Sequence, residues 1–274
     1  VPTIHVDDLS DARLDAFARL TDHQLRSAFE REHSLMVVES PFAVGVALEE
    51  GLEPVSFLLD ERHEKSMSEV LAGVDEAVPV FLAPRPVMSQ LVGFKVTRGV
   101  MGAFLRPEPR DVRDVVSGAR RVAVLEGLVD ATNVGALFRS AAALGVDAVL
   151  LDPTCADPYA RRSNRVSMGT VLKVPWATFP EEGDEYWPTG ALGLLCELGF
   201  HIVAMALEEG ALPLDDVSLR DHDRLALVFG SEGWGISRKA RAACDEAVVI
   251  PMAHGVDSLN VAASSAVAFW QLCR

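Results

Sequence analysis

Three short segments of this 274-residue chain join glycine to a few polar side chains beside apolar runs. Asn133-Val-Gly-Ala-Leu-Phe-Arg139 follows the apolar residues 122–125, and Gly230-Ser-Glu-Gly-Trp-Gly235 follows residues 225–229. Ile250-Pro-Met-Ala-His-Gly-Val-Asp-Ser-Leu-Asn260 leads into an uncharged stretch, 261–273, that reads as a buried helix. An apolar run closed by a glycine-bearing loop is the pattern of a strand end at which backbone N–H groups come close to a ligand. Ser258 and Asn260 stand at a helix start, where unpaired N–H groups and two small polar side chains surround one point. This is the composition of a binding site.

Single residues sharpen the chemistry. Arg139 is the only charged residue between Ala131 and Val146, on a helix whose Val134, Leu137, Phe138, Ala141 and Leu144 form an apolar face. Two roles fit it: a structural ion pair, or a phosphate ligand, since a planar guanidinium takes two phosphate oxygens at once. Asn133 and Ser258 each stand where a helix cap is expected, a role that can coexist with another. Glu232 lies among three glycines and has little packing reason to be there. His254 reads as a surface loop residue that could assist. Neither G-x-G-x-x-G nor G-x-x-x-x-G-K occurs, which disfavours a nicotinamide enzyme or an NTPase acting on another adenine-containing ligand.

The elements that must position these residues alternate between strand and helix. Residues 11–33 suit one or two amphipathic helices through Leu14, Phe17, Ala18, Leu25, Ala28 and Phe29. Residues 35–38, 55–59, 78–82 and 100–104 read as strands, and Ser40-Pro41 as the cap and first turn of a helix ending at Gly51. Residues 106–118, with two prolines and many charges, read as a linker. Beyond it, 122–125, 146–151, 201–206, 225–229 and 247–250 are short apolar strands separated by helical stretches, which favours a parallel sheet covered on both faces. The expected domains are therefore a small α/β domain over 1–105, the linker 106–118, and a larger α/β domain over 119–274.

Composition bounds the rest. With 49% hydrophobic and 24% charged residues the chain suits a globular protein of two domains. Cys155, Cys196, Cys244 and Cys273 have no C-x-x-C spacing, so neither a zinc knuckle nor a disulfide framework is expected, and no metal. Neither 1–11 nor 258–273 reads as a signal peptide or membrane span, and a reducing, cytoplasmic location is expected. The net charge of −15 argues against nucleic acid, which demands Lys and Arg against its phosphates. The basic residues are unevenly placed, however. Residues 85–121 hold eight basic residues against three acidic ones, and Arg161, Arg162, Arg165 and Lys173 have no acid between Tyr159 and Pro180. Each cluster is either a solvated face or a phosphate-binding surface.

In order and spacing, the three segments resemble the motifs of the SpoU/TrmH family of RNA 2′-O-methyltransferases, over roughly 120–274. The resemblance implies a knotted parallel-sheet (SPOUT) catalytic domain that uses S-adenosylmethionine to methylate a ribose 2′-OH of structured RNA, ribosomal RNA ahead of transfer RNA. A non-catalytic RNA-binding module of the same fold is the alternative, against which the intact Arg139, Glu232, Ser258 and Asn260 stand. By the same resemblance those four residues line the methyl-transfer site, and Gly230, Ile250, Met252 and Leu259 hold the cofactor. Asn133, Arg161, Arg162 and Arg165 are assigned to RNA. A homodimer through the catalytic domain is implied, with residues of both subunits completing the site, and the helix at 261–273 with Phe269 and Trp270 suits its interface. Residues 36–51 and Arg98-Gly-Val-Met-Gly-Ala-Phe104 look like the small ribosomal-protein-like RNA-binding domain that precedes many SpoU catalytic domains. Ser40 stands where that domain usually has glycine.

Overall fold

The computed structural model describes residues 2–6, 10–18, 30 and 32–274. The chain divides into two compact units, one formed by Val1–Glu108 with Tyr159–Leu172, the other by Pro109–Pro158 with Lys173–Arg274.

The first unit holds a five-stranded mixed sheet. Its strands are β1 (Thr3–His5), β2 (Leu35–Glu39), β3 (Pro54–Asp60), β4 (Val80–Ala83) and β5 (Val100–Leu105), in the order β1-β4-β3-β5-β2. β5 runs antiparallel to both β2 and β3, and the other pairs are parallel. Alternate residues of each strand feed opposite faces, so Val37, Leu58 and Phe81 join one core while Met36, Val38 and Leu59 join the other. Part of the expected N-terminal helical region is a 3-10 helix, Ala12–Phe17, with Leu14 and Phe17 buried. The rest, at 19–29 and 31, lies outside the described residues.

Ser40 caps the helix Pro41–Glu49 as expected, its Oγ accepting from Ala43 N at 3.2 Å. Its backbone stands at φ 103°, ψ 151°, a region that L residues with a Cβ rarely occupy. The glycine usual there in the family that the sequence resembles would take this conformation without strain.

The segment Tyr159–Leu172, expected within the larger domain, packs as part of the first unit. Its helix Arg161–Ser167 is followed by Gly169, where an added Cβ would stand 3.5 Å from Ala43. Tyr159 and Leu172 pack against the core containing Met36, Val38 and Ala43. The boundary between the units falls inside the expected linker, between Glu108 and Pro109. The second half of that segment forms a short helix, Val112–Val115, capped by Asp111, and buries Val112, Val115 and Val116 in the core of the second unit.

The second unit is built on seven strands in the order β10-β12-β9-β11-β6-β7-β8. They are β6 (Arg121–Leu125), β7 (Ala148–Leu151), β8 (Trp176–Thr178), β9 (His201–Met205), β10 (Leu212–Pro213), β11 (Leu225–Phe229) and β12 (Glu246–Val249). Every pair is parallel, as the apolar runs predict. Val122, Val124, Leu150, Ile202 and Val228 point into a core shared with the helices Val112–Val115, Thr189–Glu197 and Arg238–Ala242. On the other face lie the helices Ala131–Leu144 and Val261–Leu272, which pack against each other. Phe269 of the latter is buried edge-on against Phe229, ring centroids 5.5 Å apart, so it belongs to the core rather than to an interface. Among the described residues no helix is long and apolar enough to cross a membrane.

Candidate active site

A cavity of about 630 Å³ opens where β9, β11 and β12 end. Its wall is made by the residues that follow those strands and by the start of the Val261–Leu272 helix. Open parallel sheets bind ligands at this edge, because loops there diverge and free N–H groups face outward. Seven of the sequence-predicted residues line it: Gly230, Glu232, Ile250, Met252, Ser258, Leu259 and Asn260.

The 230–235 loop is closed by a pair of backbone hydrogen bonds between Ser231 and Gly235, at 2.9 and 3.1 Å. A Cβ on Gly230 would fall 2.1 Å from the carbonyl carbon of Gly235, so only glycine fits at the neck. Gly235, at φ 66°, completes the reversal. The loop is thus a tight turn, and one that projects Glu232 and Trp234 from its tip.

Glu232 draws the three motifs together. Its Oε1 accepts from Asn133 Nδ2 at 2.8 Å and from Asn260 Nδ2 at 2.5 Å, while Asn260 Nδ2 also lies 3.1 Å from Asn133 Oδ1. Each member comes from a different segment, following β6, β11 and β12 in turn. Two of the capping expectations are corrected by this arrangement. Asp130, not Asn133, caps the Ala131–Leu144 helix by accepting from Thr132 N at 2.8 Å, which leaves Asn133 buried in the first turn and aimed at Glu232. Asn260, not Ser258, caps the final helix through Ala262 N at 3.0 Å, and Ser258 is exposed on the cavity wall.

Arg139 is exposed, and no hydrogen bond or ion pair engages it among the described residues, so its structural ion-pair role finds no acid. It does not line the cavity. A residue that sequence reasoning missed is Glu126, buried directly after β6. Its Oε1 accepts from Trp187 Nε1 at 2.9 Å and its Oε2 from Ser237 N at 2.7 Å, fixing the segment that leaves the 230–235 loop. An acid at the end of an apolar run and ahead of Gly127 was the available signal.

The basic stretches look different once folded. Within 85–121, Arg85 pairs with Asp60, Arg106 with Glu30, Arg113 with Glu185 and Arg120 with Asp223. Arg121 donates to the carbonyls of Leu272 and Asp223. Arg161 is ion-paired with the buried Glu39 and lies 4.1 Å above the Phe94 ring, and Arg165 stands 3.7 Å from the same carboxylate. Burial pulls the Arg161 guanidinium below its ordinary pKa, against the pull of Glu39. Arg162 alone of the three is exposed with no hydrogen bond or ion pair among the described residues.

At the opposite edge of the second sheet, His201, His222 and Glu246 bring potential metal-ligand atoms within 4.8 Å of one another. The two rings are stacked at 3.7 Å, and the nitrogens of His201 face Glu246 at 2.8 Å and Asp245 at 3.5 Å. With both nitrogens turned to carboxylates, His201 ties the start of β9 to the start of β12.

Residues 120–270 match the model of the SpoU rRNA Methylase family. An uncharacterised tRNA/rRNA methyltransferase of Mycobacterium tuberculosis is 40% identical over 271 residues, 98% of this chain and 91% of its own length. The 23S rRNA (guanosine-2′-O-)-methyltransferase RlmB of Escherichia coli is 28% identical over 225 residues, 80% of this chain and 88% of its own length. In fold, the chain is similar to an AdoMet-bound rRNA methyltransferase from Sinorhizobium meliloti. The TM-score is 0.81 at 19% identity, with 98% and 97% of the two chains covered.

Proposed function

Because the chain belongs to the SpoU rRNA methylase family, we propose that it is an RNA 2′-O-methyltransferase dependent on S-adenosylmethionine. Ribosomal RNA is put first as substrate because the RlmB similarity extends over 80% of the chain. The observation that carries the reading is the Asn133–Glu232–Asn260 cluster on the rim of a cavity at the carboxyl edge of a parallel sheet.

The cavity suits an adenosyl ligand. The Gly230 neck, which no side chain can enter, presents bare backbone, and Ile250, Met252 and Leu259 supply apolar wall. These are the residues that would hold the cofactor. When bound, S-adenosylmethionine supplies a sulfonium-activated methyl group to an incoming hydroxyl.

The chain's own contribution is placement and charge. The Glu232 carboxylate only accepts hydrogen bonds, and the two amides that occupy Oε1 leave Oε2 outside the cluster; we assign it to receive the proton of the ribose hydroxyl. Ser258 lines the same wall and orients that hydroxyl. Arg139, permanently charged, is no base. It stabilises the developing alkoxide and clamps the neighbouring phosphate.

Arg139 lies off the cavity of its own chain, so we assign it to the cavity of a second copy, which makes the enzyme a homodimer. The contact face is placed on the Val261–Leu272 helix, where Val267 is 42% and Trp270 59% exposed. The first unit is read as the RNA-binding domain, with Arg162 making a phosphate contact while Glu39 holds Arg161 and Arg165. An RNA substrate places the protein in the cytoplasm. Isothermal titration with S-adenosylhomocysteine tests the cofactor assignment. Saturable binding supports it, and no heat or thermal shift at millimolar ligand removes it.

A further inference from the structure

Trp234 is 95% exposed on the wall of the cavity. A bare indole is costly to leave in water, because it buries more apolar area than any other side chain when it finds a partner. It stands between Gly233 and Gly235, and at 95% exposure both faces of the ring are open. The loop itself is pinned by the Ser231–Gly235 hydrogen bonds and by Trp234 N donating to Ser231 Oγ at 3.3 Å. The ring is thus carried on a fixed stem.

Two further features surround it. Leu207 and Leu259, 65% and 42% exposed, lie on the same cavity wall and extend the apolar surface. The cations of the wall are treated unequally: Arg241 is neutralised by Glu208 at 2.6 Å, whereas Arg238 is exposed with no ion pair or hydrogen bond among the described residues. Of the wall's two arginines, Arg238 is the one left open to an anion, on a wall that also carries Glu208, Glu232 and Asp257. An aromatic face beside an unpaired guanidinium is how proteins hold single-stranded nucleic acid, with a base on the ring and a phosphate on the cation.

We propose that Trp234 is a stacking platform for an unpaired base of the RNA substrate, at or next to the reacting nucleotide, and that Arg238 takes the adjoining phosphate. The proposal rests on the methyltransferase reading of the same cavity. It makes Trp234 and Arg238 positioning residues that present the ribose to Glu232, and it restricts substrates to riboses whose base is free of a helix. The other π-face available to Trp234 is the adenine of the cofactor. The near-complete exposure of the ring, outside the Gly230 neck, favours the RNA base.

The test uses the full chain with saturating S-adenosylhomocysteine and an oligouridylate as probe, compared with duplex RNA of equal length. Stacking of a base on an aromatic side chain is worth about 1–3 kcal/mol, so Trp234→Leu should weaken oligouridylate binding about five- to 150-fold while Trp234→Phe retains most of it. Quenching of the wild-type indole emission by oligouridylate should be lost in Trp234→Phe, and affinity for S-adenosylhomocysteine should hold in both variants. Arg238→Gln should lower the salt dependence of oligouridylate binding by about one unit of slope. Wild-type oligouridylate affinity in Trp234→Leu overturns the proposal, and a selective loss of S-adenosylhomocysteine affinity reassigns the ring to the adenine. Failure of the wild-type protein to bind S-adenosylhomocysteine at all is a separate result, which strikes the methyltransferase reading itself.

Discussion

Asn260 Nδ2 donates to Glu232 Oε1 at 2.5 Å while Asn260 Oδ1 accepts from Ala262 N at 3.0 Å. One side chain therefore caps the final helix and anchors the carboxylate of the site. The two roles separate by substitution. Asn260→Asp keeps an effective cap but sets a second carboxylate against Glu232, where like charges repel or share a proton, so the cap survives while methyl transfer falls about a hundredfold. Asn260→Ala should lose both, with about 1 kcal/mol of stability. Denaturant melts and methyl-transfer assays on the two variants check this, and an active Asn260→Asp would confine Asn260 to capping.

Arg139 gives the complementary case, a side chain with no role in its own fold. Exposed and unpaired among the described residues, it should be removable at a cost within about 0.5 kcal/mol. Arg139→Ala should nevertheless abolish methyl transfer with S-adenosylhomocysteine affinity nearly unchanged, and Arg139→Lys should not restore it, since a lysine cannot reproduce the bidentate geometry. Turnover at the wild-type rate in a folded Arg139→Ala protein would sever Arg139 from the chemistry.

The backbone of Ser40 predicts a gain instead of a loss. At φ 103° a Cβ is strained, and glycine would relieve it, at the expense of a few tenths of a kcal/mol for the lost cap. Ser40→Gly should raise unfolding stability by about 1 kcal/mol. A urea midpoint at or below that of the wild type would show that the capping Oγ outweighs the strain.

Asp60 sets an acid limit on the first unit. It is 2% exposed, and the guanidinium of Arg62, 2.7 Å away, together with Arg85, lowers its pKa from 3.8 to about 2. A carboxyl whose folded pKa lies below its unfolded one stabilises the fold at pH values above the unfolded pKa. That stability goes as pH falls from about 4 through about 2. The contribution is up to about 2 kcal/mol. Asp60→Asn should remove it at neutral pH and flatten the stability profile between pH 4 and 2. An unchanged acid profile would show that the ion pairs of Asp60 contribute nothing there.

Five strands of the second unit could be read from the chain because each holds an unbroken apolar run, as at Leu225–Phe229. β8 and β10 could not, being three and two residues long, and β10 carries a proline on the edge of the sheet. The site motifs were legible as segments, but their junction was not: nothing local says that Asn133 will meet a carboxylate 99 residues away. Capping was misassigned for a related reason. Asp130 and Asn133 are both competent caps three positions apart, and the side chain nearer the strand takes the N–H groups first. Charge was the least legible. The acids that neutralise Arg161 and Arg113, Glu39 and Glu185, lie 122 and 72 residues away, so a count along the chain overstates the free positive surface.

Mapping ribose methylation decides whether the chain methylates RNA at the 2′-OH. Total RNA from cells lacking the protein would be incubated with the purified chain and S-adenosylmethionine, and 2′-O-methyl positions scored before and after. A new 2′-O-methyl group is expected at a defined ribose of ribosomal RNA whose base is unpaired, absent when Asn260→Asp replaces the wild type. No new methyl group, or one found on a base nitrogen or carbon, would contradict the 2′-O-methyltransferase reading.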